Sequence, residues 1–265
     1  MGTPGIFDLS GKVALVTGGG RGLGRACCEA MAEFGADVAC CDIDQESAQE
    51  TVALIKGFGH RTLAVEADVS RPEDVEHMVQ KATKSFGRLD ILFNNAGITT
   101  SPAKTAEISI EDWDRVMAVN LRGVFLCMRA ALPIMLNQKG GCIINISSVA
   151  GLRGSDPDVR PHANYNAAKA GVIMLTKQAA VEHAKHGIRI NCIAPGYHHT
   201  AVGAKWRADL TEQERQKGRE LTIRRIPMGR GAEPSEMKGM AVYLASDASS
   251  FVTGQVFVQD GGYTL

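Results

Sequence analysis

The chain has 265 residues, of which 29 are basic and 29 acidic, so its formal net charge at neutral pH is zero. This balance excludes a general electrostatic attraction to nucleic acid or to an anionic membrane surface. Hydrophobic residues make up 45% of the chain, enough for one large α/β core, and no apolar run approaches membrane-spanning length. Residues 1–8 lack the basic end and the apolar stretch of a signal peptide, so a cytoplasmic protein is expected.

The seven cysteines are an odd number without paired spacing. Thiols in such positions are expected to be reduced and packed in the core. No Cys–His pattern indicates zinc. The neighbours His198 and His199 have no acidic residue close to them in the sequence, so no metal site is predicted.

A glycine-rich stretch follows the first predicted strand. The apolar run at 12–17 predicts a buried strand, residues 18–24 read Gly-Gly-Gly-Arg-Gly-Leu-Gly, and residues 25–34 have a helical composition. Glycines between a strand and a helix allow a tight turn and a close approach of the backbone to a ligand. The free N–H groups of the helix then face the phosphates of that ligand, which indicates a dinucleotide site.

The second predicted strand, 37–41, ends at Asp42, which lies 18 residues beyond Gly24. An acid in this position accepts hydrogen bonds from both hydroxyls of an adenosine ribose and repels a 2′-phosphate, so NAD is the expected cofactor. Two alternatives remain open. Asp42 is also suited to a turn or to a helix cap, a role that Asp44 can fill as well, and Arg21 in the glycine loop can receive a phosphate.

The rest of the chain continues the alternation of strands and helices. The sequence Ser-Arg-Pro-Glu at 70–73 predicts a capping box for a helix that runs to residue 86, and Ser109 starts a helix that runs to about residue 136. Further strands are predicted at 61–67, 89–93, 141–147, 188–194 and 255–258. Seven alternating strands predict a doubly wound (Rossmann) parallel α/β sheet with helices on both faces. No linker or repeat divides the chain, so residues 1–265 are expected to form a single domain.

Tyr165 and Lys169 are four residues apart in a segment, 164–183, whose composition predicts a helix. This spacing puts both side chains on one helical face. A phenol titrates near ~10, and a neighbouring ammonium favours the phenolate, which makes proton exchange at Tyr165 feasible at neutral pH. An amphipathic helix that carries the two residues by chance is the alternative. Asn120 lies amid apolar neighbours in the helix from Ser109, so it must find hydrogen-bond partners if it is buried.

The order of these motifs resembles that of the short-chain dehydrogenase/reductase family in its compact form. The matching motifs span nearly the whole chain and are Thr17-Gly18-x-x-x-Gly22-x-Gly24, Asp68-Val69, Asn94-Asn95-Ala96-Gly97, Ile146-Ser147-Ser148, Tyr165-x-x-x-Lys169, and Pro195-Gly196 with Thr200. The resemblance implies a catalytic set of Asn120, Ser148, Tyr165 and Lys169. Together with the residues discussed above, it implies cofactor contacts from Gly18, Arg21, Gly22, Leu23, Gly24, Asp42, Asp68, Val69, Asn95, Ala96, Gly97, Tyr165, Lys169, Pro195, Gly196 and Thr200.

The catalytic serine of the family is the second of its pair, so Ser148 takes this role here and Ser147 is left as its structural neighbour. The gap from Ser148 to Tyr165 is 17 residues, longer than the commonest form of the family. The extra length falls in 154–162 and alters the rim of the expected pocket. This insertion contains Pro157, Arg160, Pro161 and His162.

The resemblance also implies a mechanism in which hydride passes directly between a substrate carbon and the nicotinamide, while the protein supplies position and proton transfer. Tyr165 exchanges the hydroxyl proton, and Lys169 lowers the pKa of Tyr165 and holds the nicotinamide ribose. Ser148 donates a hydrogen bond to the substrate oxygen, and Asn120 anchors a water on the proton path to solvent. The rival hypotheses are a dinucleotide-sensing regulator without catalysis and an assembly scaffold.

The segment 197–233 is the least regular part of the chain and the expected substrate lid, and its basic residues outnumber its acidic ones. This charge disfavours a sterol and favours a polar or anionic substrate, such as the sugars, sugar acids and polyols of the gluconate-type and polyol dehydrogenases that the motifs and lid resemble. Tyr197 and Trp206 are suited to stacking on a sugar face. The alternatives are a 3-oxoacyl thioester substrate and, for each cation, a solvated surface. The candidate substrate residues are Ser148, Arg153, His162, Tyr197, His198 and Arg224.

The helices predicted at 111–136 and 164–183 carry more apolar surface than a single core face needs. In the family that the chain resembles, such helices pair into dimers, and a sheet-edge contact at the C-terminus completes a tetramer. A homotetramer with two-fold symmetry is therefore expected.

Overall fold

The computed structural model describes residues 5–156 and 161–265, and of Lys205 and Arg207 it describes the backbone alone. Its centre is a seven-stranded parallel sheet with the strand order β3-β2-β1-β4-β5-β6-β7. The strands are β1 Val13–Thr17, β2 Asp37–Asp42, β3 Thr62–Glu66, β4 Ile91–Asn94, β5 Gly141–Ile146, β6 Ile188–Pro195 and β7 Val256–Gln259. All seven predicted strands are confirmed, because each boundary lies within about two residues of the expected one, the usual uncertainty of such assignments.

Helices connect the strands and cover both faces of the sheet. Those in the described residues are α1 Gly22–Glu33, α2 Gln45–Ile55, α3 Pro72–Phe86, α4 Ile110–Met117, α5 Gly123–Gln138, α6 Ala163–His183, α7 Ala204–Arg207, α8 Glu212–Ile223 and α9 Lys238–Ala245. The side chains of β1 alternate between the two faces. Ala14 and Val16 pack with α1, α2 and α9, whereas Val13 and Leu15 pack with α3, α5 and α6. A sheet buried on both faces explains why the strands are continuous apolar runs.

The strand order reverses between β1 and β4, which are neighbours in the sheet although β2 and β3 separate them in the sequence. Thr17 at the end of β1 lies in register with Asn94 at the end of β4. The glycine loop and the Asn-Asn-Ala-Gly motif therefore leave the sheet side by side. In doubly wound folds, ligands bind in the crevice that opens at this point.

The predicted capping box at Ser70 is wrong. Helix α3 begins at Pro72, and the preceding residue, Arg71, makes no capping bond with its side chain. Ser70 instead donates from its backbone N and its Oγ to Oδ1 of Asp68, at 2.9 and 2.7 Å. The nearby carboxylate takes the hydroxyl into this turn, so the hydroxyl does not accept from the first turn of the helix.

The long helix predicted from Ser109 forms, and Ser109 Oγ accepts from the backbone N of Asp112 at 3.1 Å. A π-helical turn, Ala118–Arg122, joins α4 to α5. The whole span, Ile110–Gln138, is long and apolar enough to cross a membrane by length and composition alone, so the expectation that no run approaches this length was wrong. Its apolar side packs in the core through residues such as Val124 and Cys127, which accounts for its composition.

The segment 197–233 contains α7 and α8. Thr211 forms a capping box with Glu214, since Thr211 Oγ1 accepts from Glu214 N at 3.3 Å and Glu214 Oε2 accepts from Thr211 N at 2.8 Å. Helix α8 has no buried residue, so it does not contribute to the core. In the insertion, Pro157 and Arg160 lie outside the described residues. The seven cysteines are free and buried, as expected.

Candidate active site

The glycine loop after β1 is shaped as a cradle that side chains would fill. Gly18 and Gly22 have φ values of 61° and 54°, a left-handed conformation that favours glycine. A Cβ at Gly24 would lie 2.0 Å from the carbonyl oxygen of Gly18, and a Cβ at Gly18 would lie 2.8 Å from the Cα of Ala96. Since α1 starts at Gly22, its free N–H groups face this loop. The residues present fit a dinucleotide phosphate at this helix terminus.

The glycine loop and the loop after β4 are hydrogen-bonded to each other. Asn95 Nδ2 donates to the carbonyl oxygens of Thr17 and Gly18, at 3.1 and 2.9 Å. Thr17 Oγ1 accepts from the backbone N of Asn95 and of Ala96, at 3.1 and 3.2 Å. These bonds fix the two loops at the mouth of the crevice and give Asn95 a structural contact beside its expected cofactor contact.

Arg25 of α1 and Thr51 of α2 hold the outer side of the glycine loop. Arg25 Nε donates to the carbonyl oxygen of Gly20 at 2.9 Å, and Thr51 Oγ1 donates to that of Gly19 at 3.0 Å. Arg25 also bonds Thr51 Oγ1 at 3.0 Å. Sequence reasoning missed both residues. Their only signal was a polar side chain on an otherwise apolar face, which does not identify a partner.

Asp42 is buried at the end of β2, as the strand pattern predicts. Its Oδ2 accepts from Gly20 N at 2.9 Å, and its Oδ1 accepts from Asp44 N at 3.1 Å. These backbone donors fix the carboxylate beside the glycine loop. Asp44 fills the capping role that the sequence left open, since its Oδ1 accepts from Ser47 N at 3.2 Å. Arg21 forms an ion pair with Asp44.

The Asp68-Val69 pair follows β3. The carboxylate of Asp68 accepts the bonds from Ser70, and the backbone N of Asp68 donates to Asp74 Oδ2 at 3.1 Å. Val69 is buried against the start of α5, where a Cβ at Gly123 would lie 2.9 Å from Val69 Cγ2. The pair thus anchors its loop to both α3 and α5.

Tyr165 and Lys169 lie on α6, and Lys169 Nζ is 5.7 Å from the centroid of the Tyr165 ring. The lysine side chain is 2% exposed, and its Nζ donates to the carbonyl oxygen of Ile146 at 2.8 Å. Burial lowers the pKa of Lys169 to about 8, because desolvation disfavours the charged form. The carbonyl of Ile146 is thus a lysine partner that the sequence could not identify.

The two serines after β5 have different environments. Ser147 is buried, and its Oγ donates to the carbonyl oxygen of Lys169 at 2.7 Å, which ties β5 to α6. Ser148 is half-buried, with its Oγ 3.5 Å from the carbonyl oxygen of Pro195 and accepting from Ala150 N at 3.2 Å. The choice of Ser148 as the site serine agrees with this greater accessibility.

Asn120 lies in the π-helical turn and is fully buried. Its Oδ1 accepts from Ile98 N and its Nδ2 donates to Ile98 O, both at 2.8 Å, so both groups of its amide find partners. A Cβ at Gly97 would lie 3.2 Å from Asn120 Oδ1 and 3.6 Å from Lys169 Nζ. Asn120 and Lys169 therefore meet at Gly97. π-helical turns occur frequently at functional sites.

The end of β6 closes the crevice on the other side. Gly196 N donates to the carbonyl oxygen of Gln259 at 2.9 Å, and a Cβ at Gly196 would lie 2.7 Å from the Cβ of Asp260. Further along, Thr200 reaches the glycine loop, where a Cβ at Gly22 would lie 3.4 Å from Thr200 Cγ2. The Pro195-Gly196 motif and Thr200 are thus brought to the crevice.

Two candidate substrate residues after β6 are packed within their own segment. The Tyr197 ring lies 5.3 Å from the His199 ring, edge to face. His198 is buried, and its Nδ1 is 3.2 Å from the carbonyl oxygen of Gly196. Burial also lowers the pKa of His198, since desolvation disfavours the charged imidazole. In residues 5–156 and 161–265, no cluster of His, Cys, Asp and Glu could hold a metal ion.

The remaining candidate substrate residues are His162, Arg153 and Arg224, which lie in different segments of the chain. The buried His162 ring is 6.2 Å from that of Trp206. The guanidinium of Arg153 stacks 5.5 Å from the Tyr263 ring centroid. Arg225 forms an ion pair with Asp156. Arg224 is exposed and its backbone N donates to the carbonyl oxygen of Glu220 at 2.9 Å, but its side chain makes no hydrogen bond or ion pair with the part of the chain that the structure describes.

Comparison with known proteins places this site in a family. A family model described as enoyl-(acyl carrier protein) reductase matches residues 18–264. The chain is 39% identical to the 3-oxoacyl-[acyl-carrier-protein] reductase FabG of Thermotoga maritima, over 97% of this chain and 99% of the relative. It is 44% identical to 3beta-hydroxysteroid dehydrogenase 1 of Eggerthella lenta, over 97% and 95%.

A solved structure from Beutenbergia cavernae, assigned as an NAD(P)-dependent gluconate 5-dehydrogenase and holding NADP at low occupancy, superposes with a TM-score of 0.88. It is 37% identical in sequence and covers 98% of this chain and 99% of its own. The seven-stranded sheet, the glycine cradle and the extent of these matches agree. The chain belongs to the short-chain dehydrogenase/reductase family, whose members are nicotinamide-dependent oxidoreductases that act on alcohol and ketone groups.

Proposed function

We propose that the protein is an NAD-dependent dehydrogenase that interconverts a secondary alcohol and a ketone. The observation that carries this proposal is the buried Lys169 beside Tyr165, at the crevice that the glycine loop and Ser148 also border. A lysine of this kind is costly to bury, and perturbed groups in a crevice are typical of catalytic sites.

The residues divide the proton chemistry among them. A bound nicotinamide supplies the hydride acceptor for alcohol oxidation. Tyr165 takes the hydroxyl proton, and the charge of Lys169 favours the phenolate that this requires. Ser148 donates to the substrate oxygen where charge develops. Asn120 holds the loop at Ile98 near Lys169, and we infer that it helps to anchor a water on the proton path from the lysine to solvent.

The choice of NAD rests on Asp42. Its carboxylate is fixed by two backbone donors at the end of β2, where the adenosine ribose is expected. Each hydroxyl bond to a charged acceptor contributes ~1.5–3 kcal/mol. A 2′-phosphate replaces the 2′-hydroxyl donor and brings a negative charge against the carboxylate, so we infer discrimination against NADP of at least about 10²-fold.

For the substrate, we infer a polar molecule such as a sugar, a sugar acid or a polyol, with 197–233 as a lid on a single domain. The gluconate-type structural neighbour and the exposed Arg224 support this class. Reduction of a 3-oxoacyl thioester is the second candidate, favoured by the Thermotoga maritima relative. The pairing of Arg225 with Asp156 reduces the positive charge available to an anion.

The test is a spectrophotometric scan for NADH formation at alkaline pH with sugar acids, polyols, small cyclic alcohols, a 3-hydroxyacyl thioester and a 3β-hydroxysteroid. Turnover of a polar alcohol supports the proposal, whereas turnover of the thioester or the steroid alone assigns a different substrate. Cofactor binding without turnover of any secondary alcohol would favour the dinucleotide-sensing regulator and contradict the proposal.

We also propose a homotetramer. Phe125 on α5 and Met174 and Val181 on α6 are exposed apolar residues, and Phe251 and Leu265 are fully exposed near the β7 edge of the sheet. Two apolar surfaces of this kind support two different two-fold contacts. Sedimentation equilibrium is the test, and a monomer at micromolar concentration would overturn the proposal.

A further inference from the structure

We propose that Asp44 is a second determinant of cofactor choice, acting by holding Arg21 away from the 2′ position of the adenosine ribose. Arg21 lies in the glycine loop, next to Gly20, whose backbone N binds Asp42. A guanidinium in this place is the natural partner of a 2′-phosphate. The inference rests on the proposed use of NAD.

The contacts of Arg21 all lead to the first turn of α2. Its Nη2 is 2.5 Å from Asp44 Oδ2 and 3.0 Å from Ser47 Oγ. Ser47 Oγ also donates to Asp44 Oδ2 at 2.7 Å. The guanidinium, the carboxylate and the hydroxyl form a closed triangle, so the same acceptor receives both donors and the arginine is drawn onto the helix.

Asp44 is itself held in place on the side opposite Arg21. Its Oδ1 accepts from Ser47 N at 3.2 Å as the helix cap, and its backbone N donates to Asp42 Oδ1 at 3.1 Å. Bonds from Ser47 first, and then the charge of Arg21, hold the pKa of Asp44 below its ordinary value, which keeps it ionised at neutral pH. A fixed anion therefore competes with any phosphate for Arg21.

No other cation of the glycine loop is available for this competition. Arg25 is occupied by the carbonyl oxygen of Gly20, by Thr51 Oγ1 and by Glu50. Arg21 is held less firmly than Arg25, since 56% of the Arg21 side chain and 42% of the Asp44 side chain are exposed. Exposed pairs of this kind are readily exchanged. Asp44 therefore biases the position of Arg21 without locking it, and the effect on cofactor choice is graded.

Two carboxylates then contribute to discrimination against NADP in different ways. Asp42 opposes a 2′-phosphate directly, and Asp44 withdraws the charge that would attract it. Replacing Asp42 alone should give weaker NADPH binding than replacing Asp42 and Asp44 together, because Arg21 stays paired with Asp44 in the single variant. The variant Asp44→Asn separates the two effects, since asparagine is an equally good helix cap but carries no charge.

The experiment measures the dissociation constants of NADH and NADPH by isothermal titration calorimetry at low salt. The variants are Asp44→Asn, Arg21→Gln and the two combined, each in the Asp42→Ala background. Glu46→Gln is the matched control, because it removes one exposed negative charge from the same helical turn without contacting Arg21.

We expect Asp44→Asn to tighten NADPH binding by about tenfold, as for one charge-assisted hydrogen bond, and to leave NADH binding unchanged. The gain should disappear when Arg21→Gln is also present, and Glu46→Gln should not reproduce it. No gain, an equal gain without Arg21, or an equal gain for NADH would overturn the inference. A wild type that prefers NADPH would refute the proposed use of NAD. The coupling between Arg21 and Asp44 is tested independently, by comparing the effect of Asp44→Asn on NADPH binding with and without Arg21→Gln.

Discussion

The cofactor side and the 197–233 segment are built in opposite ways. Around the glycine loop, nearly every polar side chain bonds to backbone, as Asn95 does to Thr17 and Gly18 and as Asp42 does to Gly20. In 197–233, α8 has no buried residue, and Arg225 reaches across to Asp156 in another loop. Fixed backbone suits a ligand of constant shape, whereas a helix such as α8, which packs no residue in the core, suits a surface that changes with the substrate.

The largest expected effect tests whether the rigid side contains the chemistry. Tyr165→Phe keeps the ring and removes the transferable proton, so turnover should fall by about 10²-fold or more. NADH should still bind, as measured by calorimetry. Tyr243→Phe is the control, because Tyr243 on α9 packs edge-on against Phe257 on β7, and it should retain full activity. Near-normal turnover of Tyr165→Phe would show that the proton is handled elsewhere.

Asp42→Ala tests the fixed carboxylate. The ratio of kcat/KM for NAD to that for NADP should be at least about 10² in the wild type and should fall sharply in the variant. Glu66→Ala is the matched control, since Glu66 ends the neighbouring strand in register with Asp42. An unchanged ratio in Asp42→Ala would remove this residue from the ribose site.

Lys169→Met tests how much the buried charge of Lys169 lowers the free energy of unfolding. The pKa of Lys169 is about 8 in the folded protein, against 10.5 for a free lysine. Between these values the unfolded chain binds the proton that the folded protein has lost, so this group makes the folded state more stable as pH rises from about 8 to 10.5. Below about pH 8 the folded protein bears the full penalty, which is up to about 3 kcal/mol.

Denaturation of Lys169→Met should therefore show higher stability than the wild type at pH 7, with a difference that narrows above about pH 8. Lys217→Met is the matched control, because Lys217 is exposed on α8. It should show no such pH-dependent difference. A constant difference between Lys169→Met and the wild type across this range would contradict a depressed lysine pKa.

The smallest expected effect concerns the 197–233 segment. Arg224→Gln should raise KM for a sugar acid about tenfold more than for the matching neutral polyol, as for one charge-assisted hydrogen bond. Arg225→Gln should affect both substrates equally, because Arg225 is paired with Asp156, and Asp156→Asn should resemble it. Equal effects of Arg224→Gln on both substrates would assign this arginine a structural role.

The sequence predicts the strands and loops around the glycine loop well because their signals are local. The apolar runs and glycines place Asp42 at a strand end, and the four-residue spacing places Tyr165 beside Lys169. The prediction failed at Ser70, where Asp68 competes for the hydroxyl. The partner of Arg225 lies 69 residues away in the chain and depends on how two loops meet, which no local pattern encodes.

The π-helical turn at Ala118–Arg122 accommodates one more residue than an α-helical turn does. Each residue turns an α-helix by about 100°, so the faces of α4 and α5 are offset by roughly that angle relative to an uninterrupted helix. Losing one residue from the turn would restore a regular helix with the faces of α4 and α5 unchanged, but it would remove the turn that holds the Asn120 amide at Ile98. A single-residue deletion within 118–122 should therefore preserve the helix but lose the bonds between Asn120 and Ile98.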